Sequence, residues 1–251
     1  MKSLKSLLTC GMLFCASTAA FAQSSNVGCG NGMSSRRGGC FVKRTDNYSR
    51  IYVGYNPMTM SFDIEDADDI TWYGMNIGYL RGINLVQSQP LFLEVGGQIA
   101  YNFKKEYVDS RWNDGRLKYK TLSVSVPVNF TYKFTFGDGD IAISPFLGLT
   151  FKGNIIAKGV RKWKETYYDY DHYNGYRYAK EEWKKETTDY FDREDMSDKR
   201  NRWKRFQAGW QVGANLDIRH FSIGVHYGAD FNELCYKTTT KNWGVSVGCN
   251  F

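Results

Sequence analysis

The chain has 251 residues, a length that allows one domain or two. Its 33 Lys and Arg outnumber 26 Asp and Glu, for a formal charge of +7, and aromatic residues make up 16%. Apart from the N-terminus, no stretch approaches the roughly 18–20 apolar residues of a spanning helix, so a helical membrane domain is excluded.

The N-terminus reads MKSLKSLLTCGMLFCASTAAFAQ. Lys2 and Lys5 precede an apolar run from Leu7 to Phe14, and Ala20-Phe21-Ala22 has the small-x-small form of a cleavage site. These features predict a secretory leader over 1–22, with the mature chain starting at Gln23 and a charge of +5. Lipidation at Cys10 or Cys15 is the rival, but Thr9 and Phe14 stand where a small residue is wanted. A basic arm follows over 23–49. Within it, Cys29 and Cys40 bracket a Gly-rich loop. An oxidising compartment permits a disulfide between them, with free thiols as the alternative. Zinc would want closer Cys pairs or His partners.

From about residue 50 onward the apolar residues recur with period two, the strand signature. A first strand carries Ile51, Val53 and Tyr55 on one face. A second pairs Tyr73, Met75, Ile77 and Tyr79 against Trp72, Gly74, Asn76 and Gly78. LFLEVGGQIAYNF, TLSVSVPVNFTYKF and IAISPFLGLTFK supply the third to fifth. FQAGWQVGANLDI, FSIGVHYGADF and the closing NWGVSVGCNF supply the sixth to eighth.

Such alternation fits either a soluble barrel or a membrane barrel, and the second face decides. Here it is mostly Gly, Ser, Thr, Asn and Gln, with few charges (Glu94, Lys152, Arg205, Asp217, Asp230). Water would want more Lys and Glu there. A narrow lumen wants small uncharged groups. Tyr, Phe and Trp gather toward the ends of the apolar stripes, as interfacial girdles do. The prediction is an all-β, eight-stranded, antiparallel up-and-down transmembrane β-barrel over 50–251. A sheet can span hydrocarbon only when closed, so the last strand must pair with the first.

Loop lengths alternate accordingly. MTMSFDIEDADD, KKEYVDSRWNDGRLK, about 156–204 and NELCYKTTTK are expected outside. RGINLVQSQP, GDGD and RH are expected inside. The longest carries Asn174-Gly175 between Tyr-rich arms, a type I′ hairpin signal, and predicts a hairpin protruding between strands five and six. Its Tyr-rich surface suits binding to a host or extracellular ligand.

The leader, eight strands, loop asymmetry and terminal Phe251 together resemble the small eight-stranded outer-membrane barrels, most of all the porin-like outer membrane protein β-barrel domain common in Bacteroidota. The resemblance implies an outer-membrane monomer. It further implies that Trp243, Val245, Val247 and Phe251 act as a C-terminal signal for the barrel-insertion machinery, with Cys249 a mild departure. Relatives of this group act in adhesion, resistance to host defence, envelope stability or, rarely, lipid chemistry.

Two candidate sites follow. Glu94, Gln98, Gln211, Asp217 and His226 point into the lumen as a polar network, with Lys152 or Arg205 as charge partners. RKWK and KRNRWKR (Arg161, Lys162, Trp163, Lys164, Arg202, Trp203, Lys204, Arg205) form a basic collar for lipopolysaccharide phosphate. No catalytic motif, metal site or cofactor is expected. His172 lies near Asp169 and Asp171 without a convincing Ser, and DIEDADD lacks calcium-loop spacing. An exported barrel makes nucleic acid an improbable partner. The expectation is a non-enzymatic surface-binding or envelope-stabilising barrel. A narrow channel is the alternative, and a lipid-modifying enzyme is less favoured.

Overall fold

A computed structural model describes residues 47–64, 67–86, 89–110, 113–136, 140–170 and 177–251. The expected leader, most of the expected arm with Cys29 and Cys40, His172 and the expected Asn174-Gly175 turn lie outside the described residues. The strands are β1 (Tyr48–Tyr55), β2 (Met58–Phe62), β3 (Ile70–Asn84), β4 (Leu91–Ser110), β5 (Asn113–Tyr132) and β6 (Phe134–Phe136). They continue as β7 (Ile141–Tyr170), β8 (Arg177–Asp189), β9 (Phe206–Ile218), β10 (Phe221–Asp230) and β11 (Thr238–Asn250).

Antiparallel pairing runs β3–β4–β5–β7–β9–β10–β11, and β1 with β2 closes the ring between β11 and β3. β1 and β2 are one wall strand. Tyr55↔Met75 and Met58↔Trp72 keep one register across the break at Asn56 and Pro57, where proline lacks an N–H for the ladder. The wall therefore has eight members. The seam is tied at its foot by Ser49 N–H to the Phe251 carbonyl (2.8 Å) and Phe251 N–H to the Ser49 carbonyl (2.9 Å).

The period-two faces sort as lipid requires. On β3, Tyr73, Met75, Ile77 and Tyr79 are exposed while Trp72, Gly74, Asn76 and Gly78 are buried. On β5, the outward apolar run from Leu122 to Tyr132 is about 33 Å at about 3.3 Å per residue, or about 25 Å high at a tilt near 40°. Lys120 is the outward residue just above it. Phe130, Tyr132, Phe221 and Phe251 ring one end of this band, and Tyr73, Tyr101, Phe206 and Trp243 ring the other. Inside, glycines make room for larger rings. A Cβ on Gly78 would lie 2.4 Å from the Tyr52 ring, and one on Gly82 2.4 Å from the Tyr48 ring.

Several expected loops are strand. KKEYVDS extends β4, NDGRLK begins β5, MTMSF is β2, RGIN ends β3, and TTTK opens β11. Above the lipid both faces of a strand can be polar, so the backbone ladder persists where hydrophobic alternation fades. The expected hairpin is also only partly continuous with the wall. β7 runs upward for 30 residues and pairs with β8, but β8 does not lead directly into β9. Residues 190–205 intervene and fold back over the barrel mouth.

Candidate functional site

Two regions carry the polar chemistry, the lumen and the end bearing the long strands. At the foot of the lumen Arg50 is 2% exposed. Its Nε donates to Asn250 Oδ1 (2.8 Å), Nη1 to Glu94 Oε1 (3.4 Å) and Nη2 to Asp217 Oδ1 (3.1 Å). Tyr48 donates its hydroxyl to Glu94. Asn129 Nδ2 supports the second Glu94 oxygen (3.4 Å), and Ser144 Oγ supports Asp217 (3.2 Å). Lys133 reaches Asp217 from below at 3.5 Å. Two buried carboxylates thus share one buried guanidinium, whose planar fork meets both.

Above this layer Tyr52 donates to Gln98 Oε1 (2.8 Å), Gln211 Nε2 to Asn129 Oδ1 (2.6 Å), and His226 Nε2 lies 3.3 Å from Asn56 Oδ1. Higher still, Lys152 pairs with Asp230, and Gln207 joins Thr240 to Asn154. All five residues expected in the lumen face it, in two layers that Asn129 bridges by donating to Glu94 and accepting from Gln211, while Gln98 and His226 bond to Tyr52 and Asn56 instead. Lys152 serves Asp230, not the lower carboxylates. Arg205 is exposed, with its guanidinium over the Phe191 ring at 4.3 Å. The cation missing from the sequence reading is Arg50. Continuing the Ile51, Val53, Tyr55 alternation downward would have placed it inside.

Two small cavities of about 40 and 50 Å³ lie along this axis, with Gln98 and Gln211 lining both. Each has room for a few waters. The upper one is roofed by Trp203 and Leu234. These residues belong to an apolar cluster with Met60, Trp72 and Ala157, against which Tyr119, Tyr190 and Phe191 pack. Trp203 stacks on Tyr190 at 5.0 Å and tilts against Trp72 at 5.7 Å. Trp203 N–H bonds the Tyr190 carbonyl (3.0 Å) and Lys204 N–H the Leu234 carbonyl (2.7 Å), which holds the 190–205 segment down. Burial pushes the Tyr190 phenol up to about 12 and raises the Cys235 thiol.

Trp203 is therefore not a rim residue. It needs a dry aromatic pocket, and Tyr190 with Trp72 supplies one. The other collar residues also scatter. Lys162 and Lys164 point to the outer, lipid-side face of the wall, whereas Arg161 and Trp163 pack together on the opposite face. Arg202 is half-buried, and Lys204 lies 3.9 Å from Glu233. Trp243, Val245, Val247 and Phe251 all face outward, and the small Cys249 side chain among them is covered.

The exposed sheet above the band has four strands, β4–β5–β7–β8. At its base Ile155 is an extra residue in β7, because Leu122 opposes Ile156 while Ser123 opposes Asn154. This bulge turns Ile155 and Ile156 both outward and brings Ala157 in to the mouth cluster.

No protein-family model matches the chain, and no curated protein matches it. Among solved structures it is similar to Ail, the attachment invasion locus protein of Yersinia pestis, at 15% identity, covering 82% of this chain and 100% of that one with a TM-score of 0.40. It is similar to Neisserial surface protein A at 11% identity (81% and 95% covered, TM-score 0.36). A third is the N-terminal β-barrel domain of Pseudomonas aeruginosa OprF, at 11% identity (80% and 97% covered, TM-score 0.26). The class of protein, an eight-stranded transmembrane β-barrel, rests on the strand pairing and apolar band of the chain itself.

Proposed function

We propose that this is a non-enzymatic barrel of a bacterial outer membrane whose working surface is the sheet standing above the lipid band. The observation that carries this reading is the continuation of β4, β5 and β7 beyond the apolar band, with β8 added as an edge strand. Its arm from Ala179 to Thr187 is exposed along its whole length. A rigid, exposed, mixed-charge and aromatic surface is suited to binding an extracellular ligand, as in adhesion, or to bracing the envelope. His220 sits exposed in the inner turn and His226 faces Asn56 within the lumen, so neither supports a hydrolytic site. Trp243, Val245, Val247 and Phe251 present the outward apolar stripe that insertion machinery would read.

The test compares cells displaying the whole chain with cells displaying a variant in which residues 162–185 are replaced by a short turn. Adherence to immobilised laminin, fibronectin and collagen is measured, with surface proteolysis as the exposure control. Loss of adherence with retained heat-modifiable mobility supports the reading. Equal adherence overturns it. The channel alternative predicts steady current in a planar bilayer, whereas the hydrogen-bonded lumen layers and the Trp203 roof predict little or none.

A further inference from the structure

The two faces of the β4–β5–β7–β8 sheet differ in charge. Register fixes the faces. Tyr119 and Ala157 point into the mouth cluster, so their neighbours in the ladder alternate in and out from there. The first outward tier above the band joins Lys120, Lys158 and Asp189, with Phe103 beside Lys120. The second joins Lys105, Lys118, Val160 and Thr187. The third joins Tyr107, Arg116, Lys162 and Lys185. Lys164 and Trp183 follow above. Arg116 lies over both the Tyr107 and Trp183 rings at 5.9 Å, which confirms the shared face.

Through Lys180, this face carries eight cations against four carboxylates: Asp189 and Glu181, which pair with Lys158 and Lys164, and Asp109 and Asp114, which oppose each other in the ladder at its top edge. The opposite face of the same strands carries four of each sign. There Lys104 pairs with Glu106, and Lys184 with Glu165. The excess positive charge is thus all on the side that continues the lipid-facing wall. Directly beneath Lys120, Lys158 and Lys105 in the same outward rows stand Leu122, Ile156 and Phe103. The lowest cations therefore sit at headgroup height, and successive tiers climb by about 7 Å along the strands.

We propose that this outer face binds the phosphate groups of phosphorylated glycolipid in the surrounding leaflet, with Lys105, Lys118, Lys120 and Lys158 at the lipid boundary and Arg116 and Lys162 above them. Ammonium and guanidinium groups form charge-assisted bonds to phosphate. Tyr107 and Trp183 add the amphipathic rings that favour an interface. The surface replaces the scattered collar expected from sequence, and it rests on the reading of the barrel as an outer-membrane protein.

The full chain, refolded in detergent, is titrated with lipid A. The outer-face variant Arg116→Glu/Lys118→Glu/Lys162→Glu is compared with the opposite-face variant Lys104→Glu/Arg161→Glu/Lys184→Glu. Heat-modifiable mobility verifies folding of each. The outer-face variant should bind at least tenfold more weakly, and the opposite-face variant should match wild type. Dephosphorylated lipid A should bind as weakly as the outer-face variant binds the intact lipid. Equal losses in both variants, or indifference to dephosphorylation, overturn the proposal. Full competition by inorganic pyrophosphate would make this a free-anion site, and binding of heparin without lipid A would make it a polysaccharide site; either outcome also overturns it. Insertion into phosphatidylcholine vesicles is scored separately. A chain that fails to insert sinks the membrane reading as well, whereas one that inserts without discriminating sinks this inference alone.

Discussion

Replacing Arg50 with Met should destabilise the barrel strongly, and neutralising its two partners should restore it. The Arg50 side chain is 3% exposed, and it meets Glu94 and Asp217 side chains that are 0% and 3% exposed. Met keeps the unbranched stem but strands both carboxylates. Removing one partner of a buried ion pair costs about 3–5 kcal/mol, because the other charge remains buried and unpaired. Two such anions would suggest twice that loss. However, Lys133 still reaches Asp217 at 3.5 Å from a half-exposed position, so the second penalty is partly offset. The expected loss for Arg50→Met is therefore about 3–5 kcal/mol, a large share of the 5–15 kcal/mol typical of a domain. In Arg50→Met/Glu94→Gln/Asp217→Asn the stranded groups become neutral amides that still accept from Tyr48, Asn129 and Ser144. This variant should return to within about 2 kcal/mol of wild type. Equilibrium urea unfolding in lipid vesicles, followed by tryptophan fluorescence, measures all three. A loss below about 1 kcal/mol for Arg50→Met, the scale of an exposed pair, would refute the argument. So would a triple variant as weak as the single one.

Three further outcomes follow from the packing. Gly78→Ala forces a Cβ to within 2.4 Å of the Tyr52 ring and should cost about 1–3 kcal/mol in the same unfolding assay, whereas Gly97→Ala meets nothing within 4 Å and should stay within about 0.5 kcal/mol. Trp203→Ala should release the 190–205 segment and raise maleimide labelling of the half-buried Cys235 roughly tenfold, as local opening exposes the thiol; unchanged labelling would show that Trp203 does not hold the mouth shut. Tyr190 ionises in the folded state near 12, above its usual value near 10, so its contribution is whole below pH 10 and is lost as pH rises through 12. Near-UV circular dichroism of the mouth aromatics should fade across that window in wild type, and Tyr190→Phe should remove the transition.

The barrel was legible because hydrocarbon enforces a rule on every wall residue. Val126, Ile223 and Val247 must be apolar, and their alternate neighbours must fit a narrow interior. The rule fails where lipid ends. Lys104 to Lys118 reads as a charged loop because neither strand face needs to be apolar in water, yet the ladder Lys105↔Lys118 and Lys118↔Val160 continues. β2 was missed for a related reason. Its apolar residues Met58, Met60 and Phe62 point inward, toward the mouth cluster, which is the reverse of the wall below. In the lumen, Glu94 and Asp217 were recognisable as charges among small polar residues. Arg50 stood at the boundary of a weak first strand. Trp203 looked like an interfacial anchor because basic residues surround it, and only the fold-back of residues 190–205 brings it to Tyr190 and Trp72.

This reversal of polarity is the physical link between fold and function. Below the upper girdle, outward Ile77, Leu147 and Val225 face lipid, and inward Arg50 pairs with Glu94 and Asp217. Above it, Met60, Trp72, Ala157, Trp203 and Leu234 form a small apolar core inside, and Lys118, Lys120 and Lys162 face out. One set of strands is thus built as a membrane protein at one end and as a water-soluble sheet at the other. The Ile155 bulge marks the changeover on β7, since it shifts which parity faces the core. Deleting Ile155 would remove the bulge and leave the faces as they are: inward Asn154 would be followed directly by outward Ile156, inward Ala157 and outward Lys158, and Ser123↔Asn154 and Leu122↔Ile156 would join one unbroken ladder. The wall below would keep its register with β9. Hence ΔIle155 should fold into membranes with heat-modifiable mobility and keep the mouth closed, read as slow Cys235 labelling. Rapid labelling in a folded ΔIle155 variant would mean that the mouth core depends on the local bend of the bulge and not on the facing of Ala157 alone.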